Sequence, residues 1–154
     1  MKYNRTELEG NVGFSAVIDE KFKSCSLTVS FITKSDINTA ANNFLAVGSI
    51  TDSSLDYPTI ASMNKVLTEL YGSELSSSAH KRGDLQILSV YASWLSGKYA
   101  LYGEDIENDM LNIISGCLFR PNVRNGGFDP EVFAISKMEL LDHIDAELNN
   151  KRGY

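Results

Sequence analysis

Two histidines, His80 and His143, and two cysteines, Cys25 and Cys117, are the side chains best suited to hold a metal or act as nucleophiles in this chain. A zinc site built on a helix places two histidines one turn apart, so that both imidazoles face one ion, and takes a third ligand from elsewhere. His80 and His143 lie far apart in the sequence, the first in a strand-like stretch and the second in a helix-like one, so that spacing is absent. His143 stands in Glu139-Leu-Leu-Asp-His-Ile-Asp-Ala-Glu147, where residues 139, 143 and 147 share one helical face. Such a cluster is a weak metal candidate. It reads first as a solvated face whose acids raise the basicity of the imidazole.

Other chemistries find less support. Gly10-Asn-Val-Gly13 lacks the spacing of either nucleotide-binding loop, and Ser76-Ser77-Ser78 has no Gly-x-Ser-x-Gly elbow to present a nucleophile. Cys25 and Cys117 form no Cys-x-x-Cys pair and sit in apolar surroundings, as buried thiols of a reducing compartment do. Tyr91, Trp94, Tyr99 and Tyr102 could line a peptide-binding edge, although core packing explains the same aromatic run.

The elements that position these residues follow from hydrophobic periodicity. Gly13–Ile18 and Cys25–Ile32 alternate as strands, and the charged stretch Asp19–Lys23 between them predicts an antiparallel hairpin. Asp36 is placed to cap a helix that ends near Gly48 and carries Ile37, Ala40, Ala41, Phe44 and Leu45 on one face. A second helix opens at Pro58 and Thr59, with Ile60, Met63, Val66, Leu67 and Leu70 in register and Gly72 as its left-handed stop. Leu75–Ala79 alternates, Lys81-Arg-Gly-Asp84 makes a turn, and Leu85–Leu95 is apolar on both faces, as a central strand is. Glu104-Asp105 start a third helix that buries Ile106, Met110, Ile113, Ile114 and Cys117. After a turn-rich connector at Asn122–Gly127, Asp129 and Pro130 start a fourth, with Phe133, Leu140, Leu141, Ile144 and Leu148 as its stripe. Hairpins rather than βαβ crossovers dominate, which predicts an α+β fold with helices on one face of a mainly antiparallel sheet.

A length of 154 residues suits one domain with a sizeable core, and 43% hydrophobic against 22% charged residues is globular in character. Net charge is −6 with scattered basic residues, which disfavours nucleic acid as a partner. No apolar run reaches the length of a signal peptide or membrane span, so a soluble, cytoplasmic protein is expected.

An ordered series of short motifs runs through nearly the whole chain: Leu27–Ile32, Gly48-Ser49, Tyr57-Pro58-Thr59, Leu70-Tyr71-Gly72, Lys81-Arg-Gly-Asp84 and Phe128-Asp-Pro-Glu-Val-Phe133. In order and spacing it resembles the N-terminal domain of the insulinase-like (M16) metallopeptidases, above all their non-peptidase branch. The resemblance implies a LuxS/mitochondrial-processing-peptidase-like metallohydrolase fold, with residues 1–154 forming a single incomplete domain and no internal linker. Active members carry His-x-x-Glu-His on the first helix, shortly before a Gly-Thr pair. Aligned on Gly48-Ser49, the three motif positions fall on Thr39, Asn42 and Asn43, none of which can bind zinc or activate water. The family's third ligand, a later glutamate, aligns with His143.

A catalytically inactive homologue without cofactor is therefore implied, serving as a structural or peptide-binding subunit. Its implied partners are the remaining domains of a longer protein, a homologous active zinc peptidase and a peptide substrate, with no membrane. The alternative is a metallopeptidase whose zinc site is non-standard or completed by a partner, through His143 and nearby carboxylates.

Overall fold

The computed structural model describes residues 1–149, with residues 143 and 147–149 described by backbone alone. Its centre is a three-stranded antiparallel sheet of order β3-β5-β4, formed by Ser24–Lys34 (β3), Glu74–Arg82 (β4) and Leu85–Leu95 (β5). As its two-sided hydrophobicity predicts, β5 is the middle strand. It pairs from Leu95↔Ser24 to Leu85↔Lys34 on one side and from Ser93↔Glu74 to Leu85↔Arg82 on the other. Gly83 makes the β4–β5 turn at φ +61°, a left-handed conformation that a Cβ would strain.

The register sorts the sheet into two faces. Opposite residues of paired strands project to the same side, so Gln86, Val90, Ala92 and Trp94 share a face with Leu27 and Cys25 of β3 and Leu75 of β4. The helices cover this face. Ala92 and Trp94 pack with Met63, Leu67, Ile106, Met110, Ile113, Ile114 and Cys117 in one hydrophobic core. The other face is rich in hydroxyls, with Ser30 and Ser89 hydrogen-bonded across 2.9 Å, and it carries Tyr91. A mainly apolar face under the helices and a more polar face opposite is what one-sided helix cover imposes on an antiparallel sheet.

One expected pairing is not formed. The strand at Val12–Ile18 (β2) pairs with Lys2–Leu8 (β1) rather than with β3. Gly10 at φ +74° and Asn11 at φ +60° make the two consecutive left-handed residues that suit a tight hairpin turn. With its polar sequence Lys-Tyr-Asn-Arg-Thr-Glu-Leu, β1 carries almost no hydrophobic signal, while β3 finds in β5 a partner of equal length, 11 residues each.

The helices are α1 (Ala40–Asp52), α2 (Ile60–Glu69), α3 (Ile106–Phe119) and α4 (Pro130–Asn149). Two departures concern α1. Asp36 does not cap it; its Oδ1 accepts from Asn38 N at 2.8 Å in the preceding turn, leaving Thr39 at the N-cap position and Ile37 92% exposed. The helix also runs through Gly48 to Asp52, because α1 lies over β4 and against α4, and tertiary packing outweighs the low helix propensity of one glycine. By contrast α2 starts close to the expected Pro58-Thr59, at Ile60, with Pro58 outside it and Thr59 as the N-cap that forms a reciprocal capping box with Ser62. Tyr71 and Gly72 close it in left-handed conformations, at φ +59° and +69°. The tyrosine is held there through its hydroxyl, which donates to Glu104 Oε1 and accepts from Leu101 N, each at 2.9 Å.

Asp105 caps α3 by accepting from Asn108 N, and Asp129 caps α4 by accepting from Glu131 N at 3.1 Å. The short strands Val123–Arg124 (β6) and Gly127–Phe128 (β7) close the connector between these helices. The buried side of α4 is rotated from the expected stripe: Val132 and Ser136 are buried and Ile135 and Leu140 half-buried, while Phe133, Leu141 and Ile144 are exposed. Leu148, also expected in that stripe, has its side chain outside the described residues.

Candidate functional site

The first turn of α1 brings Thr39, Asn42 and Asn43 together, but the three side chains have different fates. Thr39 caps nothing with its side chain, and its Oγ1 reaches only Asp36 O at 3.5 Å. Asn42 is exposed. Asn43 turns to the sheet, where its Nδ2 donates to Gln86 Oε1 at 2.8 Å; Gln86 Nε2 donates in turn to Ala40 O at 3.0 Å. Gln86 thus clamps the helix start to the central strand.

Beside this clamp lies a cleft of about 280 Å³ with a mainly apolar wall made by Ala40, Ala41, Phe44, Ala79, Leu140 and Ile144. His143 falls on α4 between the last two, and its side chain lies outside the described residues. His80 is on β4, exposed. Among the described residues no three His, Cys, Asp or Glu side chains converge as metal ligands. The donor set at 39, 42 and 43 does not fit a zinc ion: it offers a hydroxyl and two neutral amides, one of them already bound to Gln86.

A second cleft, about 340 Å³, shares Phe44 with the first and extends toward the C-terminal end of α1. Two carboxylates line it, Asp52 from α1 and Glu139 from α4. Ser136 is buried and donates its hydroxyl to Asp52 Oδ2 at 2.8 Å, while Ser49 Oγ approaches Ser136 Oγ at 3.5 Å. Burial pushes Asp52 above the usual carboxylate range, and the Ser136 bond offsets this in part. Glu139 is also raised, by burial first and then by the negative charges of Asp52 and Asp142. Among the described residues neither Asp52 nor Glu139 forms a salt bridge; Asp52 accepts from Ser136 and Glu139 is exposed.

Sequence reasoning singled out Glu139 but missed Asp52 and Ser136. Asp52 reads as part of a polar loop once the helix is ended at Gly48, and Ser136 gives no signal of its own because its partners are far away in sequence. A larger cavity, about 430 Å³ between the starts of α2 and α4, shares no lining residue with either cleft.

The remaining candidates separate. Cys25 and Cys117 are free thiols, the first half-buried and the second fully buried. The aromatic run does not form an edge, because β5 is the central strand: Trp94 belongs to the core, whereas Tyr91 is on the opposite face and Tyr102 is exposed.

No protein-family profile matches the chain. Over 145 residues it is 22% identical to a Bacillus subtilis (strain 168) protein described as "Probable inactive metalloprotease YmfF", a match that takes in 94% of this chain and 34% of that protein. The chain is a distant metalloprotease-like relative. It spans about a third of the length of the curated relative it matches. A conserved protein from Enterococcus faecalis V583, known from its crystal structure, has the same fold over 97% of this chain and 35% of its own, with TM-score 0.86 and 23% identity. Among the described residues no helix is long and apolar enough to cross a membrane.

Proposed function

We propose that the chain is the incomplete N-terminal domain, residues 1–154, of a cytoplasmic insulinase-like (M16) protein with the metallohydrolase-like fold of that family, and that it is catalytically inactive. In this reading it acts as a structural or peptide-binding subunit beside an active zinc peptidase homologue, joined to further domains of its own protein. The observation that carries the reading is the Asn43–Gln86 bond. At the position where an active relative needs an imidazole on zinc, this chain has a neutral amide spent on holding α1 to β5. Without a Lewis acid or a bound hydroxide at Thr39, Asn42 and Asn43, the first helix has no means of activating water. The relation to a protein itself described as an inactive metalloprotease supports the same reading.

The peptide-binding role is supported by β4. It is one of the two outer strands of its sheet, and both clefts run beside it: residues 75–77 line the acidic one and residues 79–81 the apolar one. An outer strand offers unpaired backbone groups to an extended peptide, and side-chain pockets next to it supply selectivity.

Metal analysis of the purified protein together with a peptide-cleavage assay tests the reading. The expected result is substoichiometric zinc and no chelator-sensitive cleavage; stoichiometric zinc with cleavage abolished by chelator would overturn it. The His143→Ala variant separates out the partner-completed site. Cleavage by an assembly with an active homologue should survive the substitution if this chain is inactive, and collapse if His143 is a ligand.

A further inference from the structure

We propose that the cavity between the starts of α2 and α4 binds a free α-amino acid with an apolar side chain. Its volume of about 430 Å³ lies within the range of about 300–1,000 Å³ usual for small-molecule sites. None of its lining residues belongs to β4 or to the clefts beside that strand, so the peptide-binding reading plays no part here.

One buried residue fixes both walls of the cavity. Asn122, only 1% exposed, donates from Nδ2 to Pro58 O at 3.0 Å on the α2 side, and its backbone carbonyl accepts from Asp129 N at 3.2 Å on the α4 side. Arg124 is presented by the β6–β7 hairpin, whose two turn residues, Asn125 at φ +54° and Gly126 at φ +80°, make a tight connection. A site braced in this way needs little ordering when a ligand enters.

Charges of both signs line the cavity without pairing. Arg124, Asp129 and Glu131 all contribute to its wall, yet among the described residues none of them forms a salt bridge. Asp129 spends Oδ1 on the first turn of α4, accepting from Glu131 N at 3.1 Å and from Val132 N at 3.5 Å. The first turn of α2 adds the backbone N–H groups of Ile60 and Ala61, which have no partner within the helix, because the Thr59 cap serves Ser62 N and Met63 N.

An arginine and a helix N-terminus both favour a carboxylate, and Glu131 favours an ammonium. A simple anion would meet the two acids and a simple cation would meet Arg124, so a ligand with one charge of each sign suits the wall better than either. The rest of the wall is mainly apolar, with Pro58, Ile60, Val132 and Ile135 available to a hydrocarbon side chain. Carboxylate, ammonium and hydrocarbon joined at one carbon are an apolar α-amino acid.

Isothermal titration calorimetry of the purified chain with L-leucine tests this. Leucine should bind saturably with a Kd of about 1 mM or below, ordinary for so small a ligand. Leucinamide lacks the carboxylate, N-acetyl-leucine lacks the ammonium and glycine lacks the side chain; each should bind about tenfold more weakly. Arg124→Gln should abolish the difference between leucine and leucinamide, and Glu131→Gln should narrow that between leucine and N-acetyl-leucine. Both replaced residues are exposed, and circular dichroism melting checks the fold of the variants. Should either variant fail to fold, the three analogues on the unaltered protein decide alone. Absence of saturable leucine binding, equal binding of any analogue, or unchanged preferences in both folded variants overturns the inference.

Discussion

Asn43 Nδ2 donates to Gln86 Oε1 across 2.8 Å, and this contact joins the first turn of α1 to the start of the central strand. Gln86 is only 6% exposed, so its carbonyl oxygen has little water to turn to when the donor is removed. The Asn43→Ala variant should lose about 1–3 kcal/mol, the usual penalty for stranding one buried polar partner. Asn43→Asp should lose at least as much, since a carboxylate cannot donate to Oε1. Rotating the Gln86 amide to meet it would take the donor away from Ala40 O. Urea midpoints of the two variants measure this, and unchanged midpoints would mean that the clamp contributes nothing.

Gly48 sits where α1 crosses α4. A Cβ built there would meet Ser136 Cβ at 3.7 Å and Oγ at 3.8 Å, ordinary contact distances. Space is therefore available for a methyl group. Removing an interior helical glycine should stabilise the Gly48→Ala variant by about 0.5–1 kcal/mol. Gly48→Leu should do the reverse, because a longer side chain must displace Ser136 and break its 2.8 Å bond to Asp52. A thermal-unfolding series over the three residues should give the order Ala, Gly, Leu; leucine at or above glycine would contradict the crossing geometry.

How much of this was visible in the chain depends on how local the cause is. The start of α2 near Thr59, the Gly83 turn and the two-sided apolar run of β5 each arise from a few adjacent residues, and the sequence displays them directly. Where a distant partner decides, the residues gave no warning. β1 is polar and needs β2 to become a strand, and the last turn of α1 exists because α4 lies against it. The same holds at the candidate site. Thr39, Asn42 and Asn43 could be located from motif spacing, but the acidic cleft depends on Ser136 and Asp52, which are 84 positions apart and share no periodic pattern.

Cys117 is fully buried in the α2–α3 core, and burial, with smaller contributions from the Asp56 and Asp52 charges, pushes its thiol up to about 12. Reactivity follows the thiolate, which is then scarce at neutral pH as well as inaccessible. Iodoacetamide treatment of the native protein at pH 8, read by mass spectrometry, should leave Cys117 unmodified, and Cys25 should take any label. Both cysteines should react after unfolding in urea. Native labelling of Cys117 at the rate of Cys25 would show that the core opens on the timescale of the reaction.

Asp52 gives stability an unusual dependence on pH. Its folded-state pKa is raised above the ordinary 3.8, so between these values the folded protein holds more protons than the unfolded chain. Stability then falls as pH rises through that window, the opposite of what a salt-bridged aspartate produces. The favourable contribution is complete below about pH 3.8 and is lost once Asp52 ionises in the folded state. Asp52→Asn removes the charge but keeps an oxygen that can accept from Ser136. At pH 7 the variant should accordingly be at least as stable as the parent, and its advantage should shrink as the pH approaches 4. Glu139 sharpens the effect, because the Asp52 charge contributes to its own upward shift, so the substitution should also draw Glu139 back toward the usual carboxylate range. Urea midpoints for both proteins at pH 7 and pH 4 supply the comparison. A variant markedly less stable at pH 7 would show that the ionised carboxylate, through Ser136, holds α1 and α4 together more strongly than its burial opposes them.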